Sequence, residues 1–375
     1  AISELIEEFK KVSASRRPCW PNIRVKAKNN WLPAYYVPEE LVYAAGMVPM
    51  GIWGSNGKQQ IRSKEYCATF YCTIAQQSLE MLLDGTLDDI DGIITPVLCD
   101  TLRPMSQNFK VAMKDKMPVI FLAHPQVRQN AAGKQFTYDA YNEVKGHWKK
   151  RAVMKSPMTA ILDAIKVYNR SRKAAAILQA DERHPDLIPA SVRAAVLRAA
   201  YFMLKDEYSD KLEALNKELA AAPVGKFDGH KVVVSGIIYN MPGILKALMT
   251  TNSPLLLMTV LMKAAASLWM LRKTWIRPAG TGCPVLQTGN DVLLYDPSYQ
   301  EDTRNEHVCS LVKESGAEGV IVFMMQFCDP EEMEYPDLKK ALDRHHIPHI
   351  KVGVDQMTRD FGQATTALEA FAESL

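Results

Sequence analysis

Two cysteines in this chain share one local setting. In GIITPVLCDTLRP (Gly92 to Pro104) and in GVIVFMMQFCDPEE (Gly319 to Glu332), an apolar run ends abruptly in Cys-Asp. Each run has the length and composition of a buried strand, and a helical pattern follows each. In open α/β sheets, ligands bind beyond the carboxyl ends of the strands. Cys99 and Cys328 stand at two such ends, and the helix start that follows favours thiolate over thiol. If the two units face each other, both sulfurs point into one cleft. Converging thiolates suit soft metal chemistry, iron–sulfur above all. Taken singly, each would be a small, inert, buried hydrophobe, which is common for cysteine. The repeated strand–Cys–Asp context is what argues for more. A third sulfur must come from elsewhere, and EYCATFYCTIAQQSLEML (Glu65 to Leu82) offers Cys67 and Cys72 near a helix start. Cys19, Cys283 and Cys309 lie in less informative surroundings.

The elements that would position these thiols can be read from pattern. VPEELVYAAGMVPMGIWG (Val37 to Gly54) reads as a helix and then a strand. Pro38 suits a first helical turn, Glu39 and Glu40 favour its positive start, and Gly46 suits its end. Strands are expected at Gly92–Leu98, Pro118–Ala123, Lys231–Ile238, Val292–Tyr295, Gly319–Phe327 and His349–Val354. Helices are expected at Ala68–Leu83, Arg103–Lys114, Tyr138–Arg170, Ala190–Ala221, Glu331–His345 and Asp355–Ser374. Strands that are apolar throughout and alternate with helices indicate parallel sheets covered on both faces. The stretch from about Tyr138 to Ala222 has little strand signal and reads as a helical connector. The strand pattern restarts in APVGKFDGHKVVVSG (Ala222 to Gly236). The expectation is therefore an α/β protein of two domains, residues 1–222 with a helical N-terminal arm and the connector, and residues 223–375.

Composition limits the function classes. A chain of 375 residues is too long for one small core. With 47% hydrophobic and 23% charged residues it has ordinary globular composition. A net charge of +3 argues against a nucleic-acid or membrane-surface protein but tolerates a polyanionic ligand such as a nucleotide. The start AISELIEEFKKVSASRR is amphipathic and lacks a signal-peptide pattern. Seven cysteines without a CxxC pair indicate a reducing cytoplasm rather than a disulfide framework or a zinc ribbon.

Other motifs have plain structural explanations. No GxGxxG follows a strand, and GSNGKQQ (Gly54 to Gln60) and GTGCP (Gly280 to Pro284) are too short for a nicotinamide site. DRHHIPH (Asp343 to His349) reads as the end of a helix, where histidine is favourable. KVYNRSRKAA (Lys166 to Ala175) reads as a solvated helix face. Met324 and Met325 read as core filling near the cleft. Helix-start electrostatics accounts for Glu331, Glu332 and Glu334.

Taken together, VPEELVYAAGMVP, YCTIAQQSLEMLLDG, DGIITPVLCDTLR and AEGVIVFMMQFCDPEEMEYPDLKKAL resemble the 2-hydroxyacyl-CoA dehydratase and benzoyl-CoA reductase family. The resemblance runs from about residue 20 to the end, and length and spelling are most similar to a dehydratase β subunit. It implies Rossmann-like or flavodoxin-like domains with a [4Fe–4S] cluster in the cleft between them. Carried onto matching positions, it implies Cys72, Cys99 and Cys328 as the cluster ligands. Cys72 is preferred to Cys67 because it matches the family's Cys-x-x-x-x-x-Ser pattern, which ends at Ser78. It implies a homologous α subunit carrying a second cluster and most of the acyl-CoA site, an ATP-dependent iron–sulfur activator, and a 2-hydroxyacyl-CoA substrate, with no nucleic acid or membrane partner. The implied reaction is loss of water through a ketyl radical to give a 2-enoyl-CoA. Two alternatives remain: a subunit of an aromatic acyl-CoA reductase, and a non-catalytic electron-transfer subunit.

One segment departs from this pattern. No Asp or Glu occurs between Asp228 and Asp291. Within that gap, Pro254 to Leu271 reads literally as a very hydrophobic helix interrupted by Lys263. Shifted by one nucleotide, the codons for Met258 to Lys263 read Asp-Asp-x-x-x-Glu, and the same shift gives Asp at Trp269-Met270 and at Trp275-Ile276. The expectation is that residues from about 251 to 289 are encoded in that acidic frame, with the family pattern resuming at NDVLLYDP (Asn290 to Pro297).

Overall fold

The computed structural model describes residues 1–14, 30–33, 37–97, 99–114, 116–125, 130–149, 158–181, 183–226, 229–237, 241–250, 255–261 and 303–375. The chain opens with α1 (Ile2–Ala14), whose buried Ile6, Phe9 and Val12 recur at helical spacing along one face. Then come β1 (Asn30–Pro33), α2 (Glu39–Ala44), β2 (Val48–Pro49), α3 (Thr73–Leu83), β3 (Gly92–Pro96), α4 (Leu102–Ala112) and β4 (Val119–Leu122). Four helices follow without a described strand: α5 (Ala131–Lys149), α6 (Met158–Gln179), α7 (Ala190–Ala199) and α8 (Lys205–Ala221). The last part holds β5 (His230–Gly236), α9 (Pro242–Thr250), β6 (Leu255–Leu261), α10 (Thr303–Ser315), β7 (Gly319–Met325), α11 (Asp329–Arg344), β8 (His349–Val354) and α12 (Gly362–Ser374).

Two four-stranded sheets result, in the orders β2-β1-β3-β4 and β6-β5-β7-β8. Every strand pairing in both is parallel. Numbered within its own sheet, each order is 2-1-3-4, the flavodoxin-like order whose ligands bind where the winding reverses, between the first and third strands. The third strands, β3 and β7, are buried along their whole lengths, as a strand with helices on both faces must be. Cys99 and Cys328 therefore follow topologically equivalent strands. The duplication that the strand–Cys–Asp echo suggests is a duplication of position in the sheet.

Several expected elements differ from those observed. The apolar run at 254–271, read literally as a helix, is a strand over its described part, β6. Its register against β5 shifts between Val232 and Val233. A continuous apolar run has no period that separates a buried strand from a buried helix, and pairing with β5 decides it. The expected helix Tyr138–Arg170 is two helices, α5 and α6. Ala190–Ala221 is also two, and the Lys205 ammonium donates to the Ala200 carbonyl at 2.9 Å where α7 ends. The expected helix from Asp355 starts only at Gly362. Asp355 Oδ1 accepts from the Met357 N–H at 2.6 Å, and Asp360 Oδ1 from the Gly362 N–H at 2.9 Å, which ties the segment into turns. The expected strand Val292–Tyr295 lies outside the described residues, as does most of the segment 251–289 expected in the shifted frame.

The chain between the sheets is helical, as its composition indicates. Its basic stretch is not simply a solvated face: Tyr168 is buried and Arg172 pairs with the buried Glu40 of α2. Arg170 does remain at the surface, bonded to Glu213 of α8 at 2.8 and 2.6 Å. α1 packs on α7 and α8, so the N-terminal arm rests on the connector.

Candidate metal centre

Three sequence-predicted thiols stand at helix starts. Cys72 is the residue before α3, and its carbonyl accepts the Ala75 and Gln76 N–H groups at 3.1 and 3.2 Å. Cys99 lies just before α4, and its sulfur accepts the Leu102 N–H at 3.4 Å. Cys328 caps α11, with its own N–H donated to the Met325 carbonyl at 3.1 Å. The first-turn N–H groups of a helix carry partial positive charge, a contribution that by itself favours an anion placed against them. Cys67, Cys72, Cys99, Cys309 and Cys328 are all thiols, none in a disulfide.

The thiols also report on one another. Cys72 and Cys99 are near enough for the charge of one to raise the pKa of the other. Burial pushes the Cys72 thiol up to about 12, against the N–H groups of Ala75 and Ile74, while Cys99 and Asp355 add to the rise. The next residue, Thr73, reaches into the other sheet. Its hydroxyl lies 3.9 Å from the sulfur of Met325, three residues before Cys328, and also bonds the Asp355 carboxylate. Burial pushes the Asp355 carboxyl up, with the Met357 N–H and the Thr73 hydroxyl opposing. Cys67 takes a different direction. It is buried, with its sulfur 3.4 Å from that of Met105, and burial raises its thiol to about 11. Cys309 is buried in α10. Cys19 and Cys283 lie outside the described residues.

A second set of contacts, which the sequence does not announce, joins the sheets beside these thiols. Gln356 after β8 donates to the Trp53 carbonyl at 2.6 Å, and its own carbonyl accepts the Gly57 N–H at 2.7 Å. Gln77 of α3 accepts from the Ser55 N–H at 2.9 Å and donates to the Lys58 carbonyl at 3.0 Å. Gly54, at φ +70°, lies between the two amides. A Cβ there would sit 2.6 Å from Oε1 of both Gln77 and Gln356. The glycines of GSNGKQQ thus serve a turn clamped by two glutamines. The only sequence signal was their spacing. Phe327, before Cys328, is a non-glycine residue at φ +60°, a left-handed conformation that costs about 1–2 kcal/mol. No pattern in the sequence foretells it.

The donor set fits an iron–sulfur cluster. It is soft: the Cys72 and Cys99 sulfurs face backbone N–H groups at helix starts, Cys328 stands at the start of α11, and burial pushes the Cys72 thiol up. Among the described residues, no three His, Cys, Asp or Glu side chains gather closely enough for a single metal ion. A four-iron cube holds its thiolates further apart than one ion does. The histidines of DRHHIPH are structural: His345 meets Glu306 at 3.3 Å, and His349 Nδ1 lies 3.0 Å from the Ile347 carbonyl. Met324 and Met325 are core residues, while Glu331 is buried rather than displayed at the helix start. No helix of the described residues is long and apolar enough to cross a membrane.

Comparison with known proteins identifies the family. Residues 34–375 match the family described as "2-hydroxyglutaryl-CoA dehydratase, D-component". The chain is 71% identical to the β subunit of (R)-2-hydroxyglutaryl-CoA dehydratase from Acidaminococcus fermentans, over 100% of both chains. It is 34% identical to the (R)-phenyllactyl-CoA dehydratase β subunit of Clostridium sporogenes, covering 91% of this chain and 90% of the other. It is 29% identical to the lactoyl-CoA dehydratase β subunit of Anaerotignum propionicum, over 100% and 99%. Motif spelling alone points to the β subunit of (R)-2-hydroxyisocaproyl-CoA dehydratase, whereas the 71% match is to a hydroxyglutaryl enzyme. The chain therefore belongs, as a β subunit, to the 2-hydroxyacyl-CoA dehydratase family, the family described by the 2-hydroxyglutaryl-CoA dehydratase D-component.

Proposed function

We propose that this chain is the β subunit of an iron–sulfur (R)-2-hydroxyacyl-CoA dehydratase, with Cys72, Cys99 and Cys328 holding a [4Fe–4S] cluster. The observation that carries this reading is the placement of Cys72: charge-coupled to Cys99, with the adjoining Thr73 against Met325 on the strand that leads to Cys328. When bound, the cluster supplies a one-electron store and an iron without a protein ligand. The chain's residues hold it from both sheets. The three helix starts offset the thiolates' negative charge, and Thr73 orients the Asp355 carboxylate beside Cys72. The acyl group with most support is 2-hydroxyglutaryl, from the 71% relative.

In the reaction, one electron from an ATP-dependent iron–sulfur activator turns the thioester carbonyl into a ketyl radical anion. The radical expels hydroxide from C2, loses the β proton, and gives the electron back as the 2-enoyl-CoA forms. The net change is loss of water, with no electron consumed. A homologous α subunit with its own cluster carries most of the acyl-CoA site. The protein works in the cytoplasm.

The test is anaerobic purification of the complex, with iron and sulfide counts and turnover for Cys72→Ala, Cys99→Ala, Cys328→Ala and Cys67→Ala. The first three lose iron from this subunit and lose turnover, and Cys67→Ala keeps both. Alkene formation with catalytic electron use supports dehydration. Stoichiometric electron use indicates a reductase, and no conversion indicates a carrier. A wild-type subunit without iron overturns the proposal.

A further inference from the structure

The residue before Cys328 stands in an unusual backbone state. β7 ends at Met325, and Gln326 is still tied to the sheet, its N–H donated to the Val354 carbonyl at 2.9 Å. The chain then reverses: the Cys328 N–H returns to the Met325 carbonyl at 3.1 Å, and α11 starts at Asp329. Phe327 is the residue of that turn just before Cys328, at φ +60°. Turns of this pattern ordinarily take glycine or asparagine there, because a Cβ is strained at positive φ. The bonds that shape the turn come from main-chain groups, so glycine would make them equally well.

A strained residue persists where its side chain returns what the backbone loses. Core packing is a poor return here, because Phe327 is 43% exposed. Its neighbour is the informative fact. Gln326, Phe327 and Asp329 are all exposed, yet Cys328 among them is only 7% exposed. A thiol set in a surface turn is thus kept from water, and the phenyl group beside it is the large apolar side chain of that turn.

We infer that the Phe327 ring shields the Cys328 sulfur and holds water away from the cluster which that sulfur would bear. The inference rests on the iron–sulfur reading and gives a role to a residue that reading does not use. Phe327 takes no part in the chemistry and acts through the solvent around the metal. An apolar cover lowers the local dielectric. Reduction adds negative charge to a cluster already bound by thiolates, and a poorly hydrated site resists that charge. The ring therefore keeps the potential low, so that a stored electron is strongly reducing.

The test compares wild type, Phe327→Gly and Phe327→Tyr in the purified complex, stripped of iron and loaded. In the stripped complex, iodoacetamide alkylates Cys328 several-fold faster in Phe327→Gly than in wild type, while Cys72 and Cys99 keep their rates. In the loaded complex, Phe327→Gly gives this subunit's cluster a less negative potential and faster bleaching by ferricyanide. Phe327→Tyr, which keeps the ring, behaves as wild type in both. The urea midpoint of Phe327→Gly equals or exceeds that of wild type, because glycine relieves the strain. Phe327→Asn, which also tolerates this backbone, is the second variant should the glycine variant fail to fold. Unchanged alkylation and potential overturn the inference alone. A lowered urea midpoint with faster alkylation at all three cysteines also overturns it, since the ring is then structural. Separation of the subunits in gel filtration overturns it too and assigns the ring to subunit contact. A wild-type subunit without iron overturns the iron–sulfur reading, while alkylation of Cys328 still decides the shield.

Discussion

In the metal-free chain, Cys72 should behave as a thiol that resists ionisation. Burial raises it from an ordinary 9.0 to about 12. At pH 8 an ordinary thiol is about one-tenth thiolate, whereas one at 12 is thiolate about once in ten thousand molecules, a thousandfold difference. Alkylation by iodoacetamide follows the thiolate, so its rate at Cys72 should rise about tenfold per pH step up to pH 10 without levelling. The assay is peptide mass spectrometry of apo protein pulsed with iodoacetamide across that range, with circular dichroism to confirm that the fold persists. Burial alone would slow alkylation by hindering access, but it would not change the slope. A rate at Cys72 that levels off near pH 9 would refute the argument. The sign carries over to metal binding. On the proposed reading, iron would have to displace a proton that the site holds tightly, so the affinity for iron should rise with pH over the same range.

Three further outcomes follow from other parts of the structure. Arg172 and Glu40 form an ion pair with only 11% and 5% of their side chains exposed. Arg172→Met should destabilise the chain by about 3–5 kcal/mol in a urea titration, and adding Glu40→Gln should recover most of it, because the penalty lies in the abandoned charge. Gly54→Ala should lower stability by about 2 kcal/mol or more, from the left-handed backbone and from the collision with Gln77 and Gln356; a neutral result would contradict the clamp. Tryptic peptides of the protein from its native source should carry acidic residues within 251–289, and recovery of ALMTTNSPLLLMTVLMK as written would end the frame reading.

What the sequence made legible follows physical scale. β3 and β7 announce themselves because a strand buried on both faces must be apolar at every position, and their ends mark Cys99 and Cys328. Cys72 needed the family pattern, since by composition Cys67 is as good a candidate. Their surroundings differ: the Cys67 sulfur lies 3.4 Å from that of Met105, whereas Cys72 feels the charge of Cys99. β1 was invisible: four residues, Asn-Trp-Leu-Pro, are too few to carry a period. β6 was legible as apolar but not as a strand. The turn at Phe327, the role of Asp355 and the clamp of Gln77 and Gln356 on Gly54 arise from tertiary contact. Gln77 and Gln356 lie far apart along the chain, and neither position has a local signature.

The bond from Gln356 to the Trp53 carbonyl needs no iron. Neither does the return bond from Gly57 to Gln356. The two halves are thus fastened by contacts that involve no metal. On the proposed iron–sulfur reading, loading the cofactor resembles filling a socket rather than closing a hinge. The apo subunit should be a folded, storable recipient for iron and sulfide rather than a chain that folds around them.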